Sequence, residues 1–390
     1  MKLYIISAVL AISWLGCYAL DYPGTERRPI LSEEEASQYT AASYLNGWVP
    51  ESIAIPEEPD FEVQAGESVQ KVVNDAIKQS DGTRRIYIKI QPGHYMETVY
   101  INGETPLTIY GDPHNPENVH IMANISAQMS ASQYQRIVNE NGERYQMDDP
   151  AWDLYNSCAS KMGVIGSCAT VLWVNSAQFQ LQGVTIHNGA TDAQGIAIKT
   201  TSDKVHLKNC NFLGFQDTVG LGVDNGSQLE RVFVEWCYIE GEVDYVFGSA
   251  SAVMENVVFY TVAIKTNGSQ IIFAPSTAPA RSFRFLVLNS NITGDSYYAT
   301  SHQVSLARSW DRGIASADLY IPDESPNGQL VIRESTIEDI INLEAPYSAA
   351  ATSSRPFKTD IKPDRNLDDN THNRLWEYNN MEVAKILISP

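Results

Sequence analysis

Apolar positions recur in this chain as short runs separated by polar spacers, and helical periodicity is scarce after the first hundred residues. Val69 to Ile77 carries its apolar residues at helical spacing and predicts a short amphipathic helix. Arg85-Ile86-Tyr87-Ile88-Lys89-Ile90 then alternates as a strand does. Beyond it one phrase returns: Leu181-Gln-Gly-Val-Thr-Ile186, Leu207-Lys-Asn-Cys-Asn-Phe212 and Val234-Glu-Trp-Cys-Tyr-Ile239. Met254 to Phe259, Val287 to Ile292 and Ile332 to Ile337 continue it. The steps between copies, roughly 20 to 45 residues, are those of solenoid repeats.

Short strands with irregular spacers also suit a sandwich or a propeller. An all-β, single-domain right-handed parallel β-helix is preferred because two copies align without a gap from Asn209–Asp217 to Trp236–Asp244. Cys210 meets Cys237, Gly214 meets Gly241 and Asp217 meets Asp244, each pair 27 residues apart. In a parallel solenoid, equivalent positions on adjacent coils sit about 4.8 Å apart. Cys210 and Cys237 would therefore stack within reach of a disulfide, or stand as two reduced, buried thiols in a ladder. Cys158 and Cys168 are expected to close a surface loop. The segment from about Asn124 to Cys168 is long and polar for one coil, and is read as a loop walling a cleft.

The N-terminus changes the picture of where the chain goes. Met1-Lys2-Leu3 followed by an apolar run to Leu15 and by Cys17-Tyr18-Ala19 reads as a secretory leader, residues 1–19. A lipoprotein signal ending at Cys17 is the rival, and Trp14 suits that motif poorly. Residues 20–60 are then an N-terminal extension and 61–390 the β-helix domain. No later segment is apolar over a bilayer's span, so a secreted, extracellular protein is expected, without membrane attachment and as a monomer. Four cysteines remaining in an exported chain favour disulfides over a metal site, and neither a Cys-x-x-Cys pair nor a His-rich cluster argues for zinc. Asn124, Asn225, Asn267 and Asn291 head glycosylation sequons. A formal charge of −20 excludes nucleic acid as a partner and predicts repulsion from any polyanion at low salt.

Candidate chemistry follows from the stacking. Two carboxylates as close as Asp217 and Asp244 cannot both ionise freely, which separates a general acid from an anionic nucleophile. Taken alone, the pair equally fits an exposed ladder or a calcium site. Gln216 precedes Asp217, and Gln194 lies one coil earlier in Gln194-Gly-Ile-Ala-Ile198. Their amides can donate to a developing oxyanion, whereas a glycosidic bond develops a cation for which they are the wrong partner. Leu306-Ala-Arg308-Ser-Trp310 adds a cation able to hold one aspartate ionised and an aromatic able to stack on a sugar.

These residues resemble the pectin methylesterases. Gly214-Phe-Gln216-Asp217-Thr218 is similar to that family's G-[YF]-Q-D-T, and Gly241-Glu-Val-Asp244-Tyr-Val-Phe247-Gly248 to its G-x-V-D-F-[IV]-F-G. Leu306 to Trp310 is similar to L-G-R-P-W, Gln194 to Ile198 to Q-A-[VL]-A, and Ala274-Pro-Ser-Thr277 to the bacterial-type branch. Weaker similarity runs from about Ala65 to about Tyr378. The resemblance implies hydrolysis of galacturonate methyl esters in pectin, releasing methanol. In that scheme Asp244 is the nucleophile, Asp217 the acid and then base, Gln216 and Gln194 the oxyanion donors, and Arg308 the partner of Asp244. Trp310, Phe247 and Thr170 are implied to bind substrate, with no metal or organic cofactor. The chain departs from the pattern at Val219-Gly220, where Leu-Tyr is usual, and at Gly195, Tyr245, Ala307 and Ser309. None of these touches a reacting group. Other readings of the same scaffold are a polygalacturonase- or pectate-lyase-type enzyme and a non-catalytic carbohydrate-binding surface protein.

Overall fold

A computed structural model describes residues 23–223, 229–266 and 268–384. The expected leader and the sequons at Asn225 and Asn267 lie outside these residues. The strands wind into a parallel β-helix of three sheets with ten, seven and nine strands among the described residues. One coil contributes Arg231–Glu235 to the first sheet, Tyr238–Gly241 to the third and Val243–Gly248 to the second. The next coil repeats this with Ser251–Glu255, Val258–Thr261 and Ile271–Pro275.

The repeated phrase is the corner between the first and third sheets. Its first and last residues face inward and stack: Leu207 lies between Leu181 and Val234, and Phe212 between Ile186 and Ile239. All six are buried in the core. The third residue turns the corner in the left-handed region, with φ of 67° at Gly183 and 48° to 57° at Asn209, Trp236, Asn256, Asn289 and Glu334. Glycine and asparagine tolerate that conformation best, which accounts for four of the six residues used.

The fourth residue explains the cysteines. Cys210 N–H donates to Cys237 Sγ at 3.4 Å, as Val257 N–H donates to Ser290 Oγ at 3.1 Å and Ser290 N–H to Ser335 Oγ at 3.0 Å. Each of these side chains also donates back to the carbonyl two residues earlier, Cys237 to Glu235 and Ser290 to Leu288. Cys210 and Cys237 are thus reduced thiols in a ladder of corner acceptors, not a disulfide. Cys158 and Cys168 are joined, with their Cα atoms 5.7 Å apart.

The ends of the solenoid are closed from outside the repeat. The helix Val69–Gln79, capped by Ser68, lays Val69, Val73 and Ala76 on one end of the core. At the other end the last coil places Glu377 and Glu382 in register with Ile332 and Ile337, where earlier coils are apolar. Arg28 answers both, with Nε and Nη2 on Glu377 at 2.8 and 2.7 Å and Nη1 on Glu382 at 2.7 Å. After Arg28 the N-terminal arm covers the outer face of the first sheet, where Leu31, Tyr39, Tyr44 and Leu45 pack with Leu286 and Trp376. No helix among the described residues is long and apolar enough to cross a membrane.

Candidate active site

A glycine prepares each aspartate. The chain doubles back after Gly214 and Gly241 so tightly that an added Cβ would lie 2.6 Å from Thr218 Oγ1 at the first and 2.3 Å from Tyr245 Cβ at the second. Only a residue without a side chain fits there. Asp217 and Asp244 then adopt left-handed conformations, φ 63° and 47°, which interrupt the strand alternation. Thr218 and Tyr245 turn inward and are fully buried, while the aspartates face a cleft of about 440 Å³.

The second sheet sets the register. Gln194 pairs with Gln216, and Gln216 with Val243, on three successive coils, so Asp217 and Asp244 follow one another on the next step. Asp217 N–H donates to Val243 O at 3.0 Å. Gln194, Gln216, Asp217, Asp244, Phe247, Arg308 and Trp310 all line the one cleft. Neither glutamine amide has a side-chain hydrogen bond within the described residues, so both remain able to donate into the cleft.

The two carboxylates differ in company. Arg308 grips Asp244 in a fork, Nε to Oδ1 at 2.9 Å and Nη2 to Oδ2 at 2.5 Å, a geometry that favours the anion. Asp217 has no such partner. Enclosure by protein, and next the Asp244 carboxylate beside it, push its pKa well above the ordinary carboxylate value, against a smaller pull from Arg308. The two carboxyls thus stand in unlike settings, Asp244 forked by Arg308 and Asp217 enclosed beside it with its pKa pushed up.

Around them the cleft is apolar. Phe247 and Trp310 meet edge to face with centroids 5.8 Å apart, over Ile196, Val223 and Ala274. Gly220 makes room for this floor: a Cβ there would meet Phe247 Cζ at 2.8 Å and Val223 Cγ2 at 2.7 Å. The substitution of Gly220 for an aromatic thus leaves no hollow, because Phe247 and Val223 fill the space.

Residues 124–168 form one wall. Ala127 N–H donates to Gln194 O at 2.9 Å and Gly166 N–H to Ala127 O at 3.0 Å, which carries Ala127, Gly166 and Ser167 to the cleft edge. Beneath, the helices Ala131–Val138 and Trp152–Ala159 bury Tyr134, Tyr145 and Tyr155, the last two rings stacked 4.9 Å apart. The sequence reading missed Ala127, Ser167, Ala351 and Thr352 as lining residues, because they bear no chemistry and arrive from distant loops. Thr170 needs correction. It is 0 % exposed in the strand Thr170–Asn175, and its hydroxyl donates to Ser167 O at 3.1 Å, so it braces the wall from below and cannot touch a ligand.

A parallel β-helix that gathers an arginine-forked carboxylate, an enclosed carboxyl and two amides in one cleft suits a carboxylic ester hydrolase. The pectinesterase family model matches residues 156–314. The chain is 43% identical over 364 residues to a pectinesterase of Sitophilus oryzae, covering 92% of this chain and 94% of that one. It is 39% identical to pectinesterase B of Dickeya dadantii, covering 92% and 90%. The solved structure of rice weevil pectin methyl esterase superposes with a TM-score of 0.88 at 41% identity, covering 93% of this chain and 99% of that one. The chain belongs to the pectinesterase family.

Proposed function

We propose that this protein removes methyl esters from galacturonate units of pectin outside the cell, with Asp244 as nucleophile. An ionised Asp244 oxygen attacks the ester carbonyl carbon, and the carbonyl π electrons move onto oxygen. The Gln216 and Gln194 amides donate to that oxyanion. As the tetrahedral centre collapses, the C–OCH₃ bond breaks and the departing oxygen takes the Asp217 proton, giving methanol and an acyl-Asp244 anhydride. Asp217, now a carboxylate, takes a proton from water, whose oxygen attacks the acyl carbon, and the bond from that carbon to Asp244 breaks with its electron pair returning to the Asp244 carboxylate. The acid product leaves, and both side chains return to their starting states. Trp310 and Phe247 hold the sugar against the apolar floor.

The observation that carries this reading is the asymmetry of the dyad, with Arg308 forked on Asp244 and burial acting on Asp217. Extracellular placement is supported by the leader-like residues 1–19 and by the Cys158–Cys168 disulfide, a bond suited to oxidising compartments. The test is methanol release from highly methylated pectin by the wild type and by Asp244→Asn. Release by the wild type, lost by about 10⁴-fold or more in the variant, is expected. Release that persists in Asp244→Asn removes this nucleophile, and a folded wild type that releases none removes the reaction.

A further inference from the structure

One row of residues crosses the outer face of the first sheet, and its character changes midway. Phe233, Val253, Leu286, Val331 and Trp376 stand in register and lie under the N-terminal arm. Continuing the same row, Thr108, Gln180 and His206 are polar. Where the arm leaves the sheet, Gln180 and His206 border a separate pocket of about 150 Å³, away from the ester cleft on the second sheet. At roughly 30 Å³ per water, that is room for one sugar ring and not for a chain.

The pocket gathers what an acidic sugar needs. Arg85 and Lys204 bring two cations to it in a protein of net charge −20. Arg85 is held in place by Nη1 bonds to Leu107 O at 2.9 Å and Thr108 Oγ1 at 3.2 Å, and neither cation forms an ion pair among the described residues. Glu51 at the rim is the one acid among the lining residues. Trp48 supplies a half-buried aromatic face, and Gln178 an amide. His206 is 2 % exposed, and its Nδ1 has no partner. Its Nε2 lies 3.0 Å from Glu235 Oε1, which fixes the proton on Nε2 in the neutral ring and leaves Nδ1 as an unused acceptor.

We propose that this pocket is a second carbohydrate site that takes one ester-free uronate unit, the product end of the polymer. Its carboxylate sits between Arg85 and Lys204, and its ring lies on Trp48. The ligand's identity rests on the esterase reading above; the site itself rests on the residues. Such a site gives an acidic enzyme a hold on de-esterified stretches that its net charge otherwise repels.

The experiment is calorimetric titration with trigalacturonate, which has no ester to cleave, at fixed moderate salt. The probe proteins are the wild type, Arg85→Gln/Lys204→Asn and, as a cleft control, Trp310→Ala. Asparagine suits position 204, whose φ is 63°. Expected are saturable binding by the wild type, binding within twofold for Trp310→Ala, and at least tenfold weakening in the double variant, whose melting temperature stays at the wild-type value. Galactotriose, lacking the carboxylates, should bind at least tenfold more weakly. Equal binding by the double variant, loss in Trp310→Ala, equal binding of galactotriose, or no binding by the wild type each overturn the site. Methanol release, expected within twofold of wild type in the double variant, separates the two readings. Uronate binding without any methanol release leaves the pocket standing and removes the esterase.

Discussion

The same 27-residue step builds two ladders with opposite economies. At the corner of the first and third sheets it sets Cys210 over Cys237, and at the mouth of the second sheet it sets Asp217 over Asp244. In the corner Cys237, Ser290 and Ser335 each accept from the previous coil and donate to their own, Val257 between them contributes only its N–H, and Ser335 N–H in turn finds Asn380 Oδ1 at 3.0 Å. In the cleft, stacking brings together two acids and two amides without partners, and only Arg308 relieves part of that conflict. The corner is arranged for stability. The cleft leaves amides open, which in the proposed function a reacting ester engages.

The sharpest way to break this contrast is Asp217→Asn. Methanol release should fall by about 10³-fold, since the proposed acid and later base is lost. Stability should move the other way. Asp217 has a native pKa above its unfolded value, so the unfolded chain loses this proton first. Its stabilising contribution is therefore complete below the unfolded value of about 4 and is lost as pH rises from there through the native pKa. At pH 7 the asparagine variant should be the more stable in thermal unfolding, and the advantage should vanish near pH 3. An advantage that persists there, or a variant less stable at pH 7, would contradict the account of the dyad. In the proposed mechanism Asp217 acts in its protonated form, so kcat should also decline with rising pH as Asp217 ionises.

Gln216→Ala tests the unmatched amides. Removing one preorganised oxyanion donor costs about 10²-fold in kcat, with KM nearly unchanged because the amide is needed after binding. A change confined to KM would make Gln216 a ligand for the sugar instead.

How much of this was readable beforehand depends on the range of the interaction. The aspartates, the glutamines and the cleft aromatics all follow from one local register and from motifs a few residues long, which the repeat exposes. The corner conformation was not read, although Gly or Asn stands at the third position in four of the six copies of the phrase. What stayed hidden acts across the chain. Arg28 pairs with Glu377 across 349 positions, and no local pattern marks it. The wall of residues 124–168 was legible as an interruption, yet Ala127 reaches the cleft only through a backbone bond to Gln194. Thr170 shows the converse error. It stands in register with the cleft residue Ile196, but the wall at Ser167 covers it.

On the corner side, Ser335→Ala should leave the buried Ser290 N–H without an acceptor and cost about 1–2 kcal/mol in denaturant unfolding. Methanol release per folded molecule should not change. A loss of activity without a loss of stability would mean that the corner communicates with the cleft, and the two ladders would no longer be separable.

The smallest effect is expected at Cys237. Its Sγ does what Ser290 Oγ does one coil further along but one, accepting from a preceding N–H and donating to the carbonyl two residues back. Cys237→Ser keeps both functions with a shorter side chain, and a swap that conserves the hydrogen bonds in a packed site costs under about 1.5 kcal/mol. The thiols are buried, so a native chain should resist alkylation, and a denatured, unreduced chain lacking residues 1–19 should yield two modified cysteines, Cys210 and Cys237. If none is modified, the pair is a disulfide and the ladder is crosslinked at this step. Cys237→Ser would then cost several kcal/mol, in the range of a lost native disulfide at about 2–5 kcal/mol, and the corner would owe its stability to a covalent bond where its neighbours use hydrogen bonds.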